Sequence, residues 1–191
     1  MTDQPCETTT DEPPVVVLLS DEAATAALGA ALAGALGAAL AGTLDAAPAV
    51  SLVPGLRVYL RGQLGAGKTT LVRAMLAALG WKGRVKSPTF TLVELYPLSR
   101  LNLYHFDFYR FRDRAEWRDA GFSEYLDGGN LCFVEWPEMA GDELPAADLD
   151  IALDLVADAD AHAGSGQQRR ATLIPRSEAG RAWLKRAALS T

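Results

Sequence analysis

The segment 62–69, with the sequence GQLGAGKT, constrains the fold of this chain more than any other stretch. It matches the phosphate-binding loop pattern G-x-x-x-x-G-K-[ST] at every fixed position. Its glycines let the backbone curl so that successive N–H groups can point at an anion. The run before it alternates like a strand and the run after it favours a helix, which is the context that such a loop requires. The sequence therefore predicts a triphosphate site in an α/β fold.

The chemistry of this pattern predicts a role for each position of the loop. Lys68 is expected to contact the β- and γ-phosphates, and the Thr69 hydroxyl is expected to ligate Mg²⁺. The predicted nucleotide-binding residues are Gly62, Gln63, Leu64, Gly65, Ala66, Gly67, Lys68, Thr69 and Thr70.

The net charge limits how the chain can contact nucleic acid, and its cysteine content indicates the redox conditions that suit it. The formal net charge of −6 argues against a protein that wraps nucleic acid with a broad basic face, so any RNA contact should be local or made by a partner. The chain has two cysteines, Cys6 in a polar stretch and Cys132 in an apolar run. They indicate no disulfide framework and no zinc site, which fits a reducing cytoplasm. Cys132 is predicted to be a buried free thiol.

The N-terminal region divides into two parts. Residues 1–14 are polar, acidic and rich in proline, which predicts a disordered acidic tail before a single domain over residues 15–191. A strand at 15–19 and a helix capped by Ser20 are expected to follow. The uncharged run 23–44 raises the possibility of a membrane span, but alanine and glycine dominate it and no basic flank is present. Leucine at every fourth position instead favours a surface helix with one apolar stripe.

Two later apolar runs each end in an acid. LNLYHFD ends at Asp107 and LCFVE ends at Glu135. A strand with an acid at its carboxyl end places that carboxylate in the crevice where α/β sheets bind ligands. We predict that Asp107 and Glu135 serve the phosphate loop, as a magnesium ligand or as a residue that positions water. His105 is interpreted as a packed or hydrogen-bonded histidine rather than as the catalytic base.

Two further segments leave alternatives open. The hydroxyls of Ser87, Thr89 and Thr91 follow the phosphate loop and could form a switch-like segment that senses the γ-phosphate, or an ordinary turn into an edge strand. Four arginines lie within residues 109–118. One could be an internal arginine finger, although a solvated helix face is the favoured interpretation.

The C-terminal third predicts a hairpin and a closing helix. Residues 149–155 alternate with period two, a polar turn follows, and a second strand is expected at 171–174. Such a hairpin would make the sheet mixed rather than purely parallel. The closing helix is predicted over 177–188.

Several motifs together resemble one family. GQLGAGKTT, VKSPTFTLVELY, YHFDFYR, GFSEYL and LCFVEWPE occur in this order and are similar to the bacterial TsaE family, the ATPase component of the machinery that makes threonylcarbamoyladenosine in tRNA. The resemblance covers roughly residues 15–190, and HFD-x-YR with VEWPE after SPT is far more specific than the loop alone. The acidic tail and the Ala/Gly-rich stretch at 34–50 depart from the family pattern.

The resemblance implies a P-loop NTPase-like mixed sheet flanked by helices, which binds ATP and Mg²⁺ and hydrolyses ATP slowly. Glu135 matches the family acid that ligates or positions the metal, with Trp136 beside it, and Asp107 matches the other essential acid. Lys68, Asp107 and Glu135 are then the catalytic residues, and Thr69 and Glu135 the metal ligands. The implied partners are two larger subunits of sugar-kinase-like fold in the cytoplasm, one of which performs the carbamoyl transfer, with tRNA contacted only indirectly or locally and no membrane.

The residues alone leave two other classes open. A small-molecule kinase would use Asp107 as the base toward a hydroxyl and the arginine-rich segment as a lid. A nucleotide-gated binding module with negligible hydrolysis is the non-enzyme alternative. The chain contains no N-K-x-D motif to read guanine and no L-S-G-G-Q signature, so a GTPase and an ABC-type transporter are disfavoured.

Overall fold

The computed structural model describes residues 13–42, 55–99, 101–127, 129–156 and 167–189. Within these ranges strands and helices follow one another along the chain. The strands are β1 (Val15–Leu19), β2 (Arg57–Arg61), β3 (Val93–Pro97), β4 (Asn102–Asp107), β5 (Leu131–Glu135), β6 (Leu149–Leu155) and β7 (Arg169–Pro175). The helices are α1 (Glu22–Gly42), α2 (Lys68–Ala78), α3 (Glu116–Asp119), α4 (Ser123–Asp127) and α5 (Glu178–Ala187), with a 3₁₀ segment at Pro137–Glu143.

The strands form one mixed sheet in the order β1-β7-β6-β2-β5-β4-β3. The four central strands β6, β2, β5 and β4 are parallel, whereas β1, β7 and β3 pair antiparallel with their neighbours. The predicted mixed sheet and the antiparallel β6–β7 hairpin are thereby confirmed, while the polar turn predicted between them lies outside the described residues. Because the central strands are parallel, their carboxyl ends meet at one edge of the sheet.

Apolar side chains cover both faces of the sheet. Helices α1, α2 and α5 pack on one face, where Trp183 of α5 donates its indole N–H to the carbonyl oxygen of Leu32 at 2.9 Å. Aromatic residues from the chain between β4 and β5 cover the other face. Strand β5 is buried at all of its positions because it is covered on both faces, as is usual for the centre of a parallel sheet.

Helix α1 differs from its prediction at its first turn. The carboxylate of Asp21 accepts the N–H of Ala24 at 2.7 Å, so Asp21 rather than Ser20 caps the helix. The helix then runs to Gly42 despite its internal glycines. Leu28, Leu32 and Leu36 are buried, as the four-residue spacing predicted. In the described ranges no helix is both long enough and apolar enough to cross a membrane.

Two glycines of α1 test how closely it packs on α2. A Cβ on Gly29 would lie 2.7 Å from the carbonyl oxygen of Leu71, whereas a Cβ on Gly34 would meet nothing within 4 Å. We expect Gly34→Ala to raise the free energy of unfolding by up to about 1 kcal/mol, because alanine has the higher helix propensity. Gly29→Ala should lower it by about 1–3 kcal/mol, because two backbones must separate. Equilibrium denaturation measures both changes, and a shift in the same direction would contradict the close approach.

The structure shows the local conformation of two segments for which the sequence left alternatives open. Residues 88–92 form a turn that leads into β3, which begins at Val93 and lies at the edge of the sheet, as one of the two alternatives expected. Leu92 has a φ of 65°, and its N–H donates to the carbonyl oxygen of Pro88 at 2.6 Å, which closes that turn. The arginine-rich segment is helical only over Glu116–Asp119, so the helix-face interpretation is wrong for residues 109–115.

Cys132 is a buried free thiol, as predicted. Burial raises the pKa of Cys132 to about 12, so the thiol stays protonated near neutral pH and is a poor nucleophile and metal ligand. Cys6 lies outside the described residues.

Candidate nucleotide-binding site

The phosphate loop joins the carboxyl end of β2 to the first residue of α2. Gly62, Gly65 and Gly67 have φ values of 131°, 81° and 107°, a region that side chains disfavour. A Cβ on Gly62 would lie 2.2 Å from the carbonyl oxygen of Leu153, so strand β6 leaves no room for a side chain there. The loop therefore has the bend that an anion-binding backbone needs, and it leads into the positive end of a helix dipole.

Lys68 is buried and folds back over the loop. Its ammonium nitrogen donates to the carbonyl oxygens of Gly62 at 2.6 Å and Gln63 at 3.0 Å, and lies 3.9 Å from the centre of the Trp136 ring. Burial lowers the pKa of Lys68, and the nearby carboxylates, Glu135 foremost, oppose that change. The lysine is thus held beside the loop by neutral acceptors and an aromatic face.

Glu135 stands opposite the first turn of α2. Its Oε1 accepts the hydroxyl proton of Thr69 at 2.7 Å and lies 2.9 Å from Nε2 of His105. Because the carboxylate accepts, the Nε2 atom of His105 carries a proton. His105 is completely buried, and its Nδ1 has no hydrogen-bond partner within the described ranges. The structure agrees with the interpretation of His105 as a hydrogen-bonded histidine, here one that holds Glu135 in place.

Asp107 lies beside Glu135, because β4 and β5 pair in parallel with these two residues as partners. One of its oxygens accepts the hydroxyls of Ser87 and Thr89, the second of these at 2.9 Å. The other oxygen accepts the N–H of Tyr109 at 3.0 Å. The carboxylate therefore joins the hydroxyl-rich segment to the chain that follows β4.

Thr91 is the one residue of the predicted switch-like segment that the structure keeps apart from these carboxylates. Its hydroxyl donates to Glu94 at 3.0 Å on the exposed side of the turn. The change of direction at Leu92 causes this separation, since a continuous strand would have placed Thr91 on the same side as Thr89.

These elements surround an open cavity of about 400 Å³. Most of the predicted site residues line it. The lining residues are Leu64, Gly65, Gly67, Lys68, Thr69, Thr70, Ser87, Thr89, Asp107, Tyr109, Arg110, Glu135 and Trp136. The other three residues of the loop do not line the cavity: Gly62, Gln63 and Ala66. The carbonyl oxygen of Gln63 accepts the N–H of Ala66 at 3.1 Å, which closes the loop's turn.

The oxygen atoms at the loop fit a magnesium ion. Mg²⁺ prefers oxygen ligands and keeps several waters, so a hydroxyl and a carboxylate beside bound phosphates satisfy it. The Thr69 hydroxyl and the Glu135 carboxylate already lie in contact at that place. In the described part of the chain, no group of three or more His, Cys, Asp or Glu side chains is arranged to hold a metal by itself.

Three contacts of the site were missed by sequence reasoning. Arg169 on β7 donates its Nε to the carbonyl oxygen of Ala66 at 3.0 Å, although the two residues are distant in the sequence. The ring of Tyr109 lies 5.0 Å from that of Trp136, and the guanidinium of Arg110 lies over the Phe90 ring. Trp136 could be identified from the motif VEWPE. No local sequence pattern indicates which distant chain segments contact the loop.

A phosphate loop between a strand and a helix, with acids at the ends of two adjacent parallel strands, defines a P-loop NTPase fold. A family model described as "Threonylcarbamoyl adenosine biosynthesis protein TsaE" matches residues 19–163. The chain belongs to the TsaE family.

Individual relatives agree with this assignment. The chain is 46% identical over 104 residues to the tRNA threonylcarbamoyladenosine biosynthesis protein TsaE of Haemophilus influenzae, covering 54% of this chain and 66% of that protein. It is 41% identical over 105 residues to the protein of the same name from Bacillus subtilis, covering 55% and 65%. These alignments span just under two thirds of each relative. The crystal structure of Bacillus subtilis YdiB shares the fold, with a TM-score of 0.67, 24% identity and coverage of 92% and 94% of the two chains.

Proposed function

We propose that the protein binds ATP with Mg²⁺ at the phosphate loop and hydrolyses it slowly to ADP and phosphate. The observation that carries this proposal is the contact between the Thr69 hydroxyl and the Glu135 carboxylate beside the loop. Lys68 and the loop N–H groups would hold the phosphates, while Thr69 and Glu135 would hold the metal. Bound there, Mg²⁺ neutralises phosphate charge. The carboxylates of Asp107 and Glu135 are the two candidates for orienting the attacking water.

This ATPase would act in the formation of threonylcarbamoyladenosine in tRNA. Membership of the TsaE family and the names of the two curated relatives support this role. The chain would work in the cytoplasm with two partner subunits of sugar-kinase-like fold, one of which performs the carbamoyl transfer. ATP turnover would reset that complex between modification cycles. The negative net charge fits a subunit that makes at most local contact with tRNA.

Reconstitution with the two partner subunits tests this role. We expect multiple-turnover modification of tRNA only when this chain and ATP are both present. Without the chain, the modified product should stop near one equivalent per complex. Lys68→Ala should fail to restore turnover, whereas Lys82→Ala should restore it, because Lys82 is exposed and lies outside the cavity.

Two results would argue against the proposal in different ways. Multiple turnover without this chain would contradict the proposed role in tRNA modification, but it would not contradict the proposed nucleotide site. ATP consumption that requires a small hydroxyl compound would favour the kinase alternative instead.

A further inference from the structure

The four arginines of residues 109–118 have different surroundings. Arg118 pairs with Glu143 at 2.5 Å, and Arg114 lines a separate cleft, where it packs against Gly141. Arg110 lines the cavity of the phosphate loop together with Lys68. Arg112 is exposed and lines neither cavity. Among these four, Arg110 is therefore the guanidinium placed to meet a bound triphosphate.

Arg110 rests on an exposed aromatic ring. Its guanidinium carbon lies 4.3 Å from the centre of the Phe90 ring, and Phe90 is 85% exposed. Packing in the core does not explain an apolar side chain with so much exposure. Its ring instead supplies a face for the guanidinium of Arg110, which itself lines the cavity.

Asp107 accepts hydrogen bonds from the two chain segments that carry Arg110 and Phe90. The neighbour of Phe90, Thr89, donates its hydroxyl to Asp107, and the neighbour of Arg110, Tyr109, donates its N–H to the same carboxylate. The two segments are separate in sequence but are joined at one buried side chain. The backbone segments that carry Arg110 and Phe90 are thus both held next to the predicted catalytic acid Asp107.

We propose that Arg110 neutralises the charge that develops on the γ-phosphoryl group during ATP hydrolysis, and that Phe90 is the positioning residue that keeps its guanidinium at the cavity. The proposal rests on the ATPase function proposed above. In that reaction the water oxygen bonds to the γ-phosphorus while the bond to the β–γ bridging oxygen breaks. The electron pair leaves with ADP, and a proton of the water passes to solvent. Negative charge spreads over the γ-phosphoryl oxygens, where the planar fork of an arginine binds best.

Hydrolysis by Arg110 variants of the full chain tests the first part. We expect Arg110→Ala to lower kcat by at least about tenfold, because the γ-phosphoryl group would lose the guanidinium that neutralises its developing charge. The Kd for ATP should stay within about threefold, since the contact forms mainly in the transition state. Arg110→Lys should recover only part of the rate, because it keeps the charge without the fork. Arg112→Ala, on the same exposed segment, should match the parent.

A double-mutant cycle tests the second part. Phe90→Ala should lower kcat by about twofold to fivefold, the fold-change that corresponds to one exposed cation–π contact, and Phe90→Tyr should retain the rate. In the Arg110→Ala background, Phe90→Ala should have no further effect, because its influence passes through the arginine. If Phe90→Ala lowers kcat by the same factor in the parent and in the Arg110→Ala variant, the role of Phe90 is overturned.

The outcomes separate this inference from the function on which it rests. If Glu135→Ala strongly impairs turnover and Arg110→Ala keeps the parental kcat, the ATPase stands and the role of Arg110 is overturned. Equal loss of ATP binding and hydrolysis in Arg110→Ala would also overturn it, because the residue would then bind substrate and transition state alike. If the parent itself does not hydrolyse ATP, the proposed function fails first.

Discussion

Lys68→Ala is expected to cause a large loss of affinity for ATP. The ammonium is the one group of the loop that brings a full positive charge to the predicted phosphate site, and it is buried where water screens it poorly. Loss of charge-assisted hydrogen bonds of this kind corresponds to a fall in affinity of about 100-fold. Calorimetric titration of the parent and the variant with ATP measures the change.

Two controls separate lost binding from lost folding. Lys82→Ala removes an exposed lysine outside the cavity and should bind ATP like the parent. Thermal unfolding of Lys68→Ala should stay close to that of the parent, because the variant removes a desolvated charge rather than core packing. Unchanged affinity in a folded Lys68→Ala protein would contradict the assignment of the loop.

Glu135→Ala is expected to impair Mg²⁺-dependent ATP hydrolysis strongly while ATP binding persists. The carboxylate is the acceptor that Thr69 contacts, so its loss would remove one predicted ligand and disturb the other. We expect kcat to fall by about 100-fold to 1000-fold, the size of effect seen when one preorganised electrostatic group is removed from an active site. Steady-state phosphate release over a range of Mg²⁺ concentrations measures this.

Glu135→Gln separates the effect of the carboxylate's charge from the effect of its hydrogen bonds. Glutamine keeps an acceptor for Thr69 and His105 but removes the negative charge, so hydrolysis should fall while stability is retained. Alanine additionally leaves the buried Nε2–H of His105 without an acceptor, which costs about 1–3 kcal/mol of folding free energy. Glu138→Ala, three residues further along and half-exposed, should leave hydrolysis unchanged. Parental turnover in Glu135→Ala would make the assignment wrong.

Sequence reasoning was strongest where local periodicity and position in a strand were enough. The phosphate loop, the parallel strands on either side of it and the two acids at strand ends all follow from such patterns. The parallel pairing of β4 with β5 then brings Asp107 and Glu135 together, as expected from acids at the same edge of a sheet. Their chemical roles stay predictions.

The parts that could not be predicted depend on contacts between distant segments or on unusual backbone angles. Leu92 and Trp136 adopt left-handed backbone conformations with φ values of 65° and 59°, which residue type does not signal outside glycine and asparagine. The turn at Leu92 separates Thr91 from Thr89. Arg169 reaches the loop only because β7 folds back beside β6. Such placements follow from the tertiary packing of the whole sheet.

The hydrogen bonds of Lys68 to the carbonyl oxygens of Gly62 and Gln63 also bear on release of the nucleotide. These carbonyls are an internal competitor for the lysine, so an incoming phosphate has to displace them. When the phosphate leaves, the ammonium can return to the same two acceptors and is not stranded as an unpaired buried charge. If the loop binds ATP as proposed, these hydrogen bonds would lower its affinity for ATP and favour release of the product between turnovers.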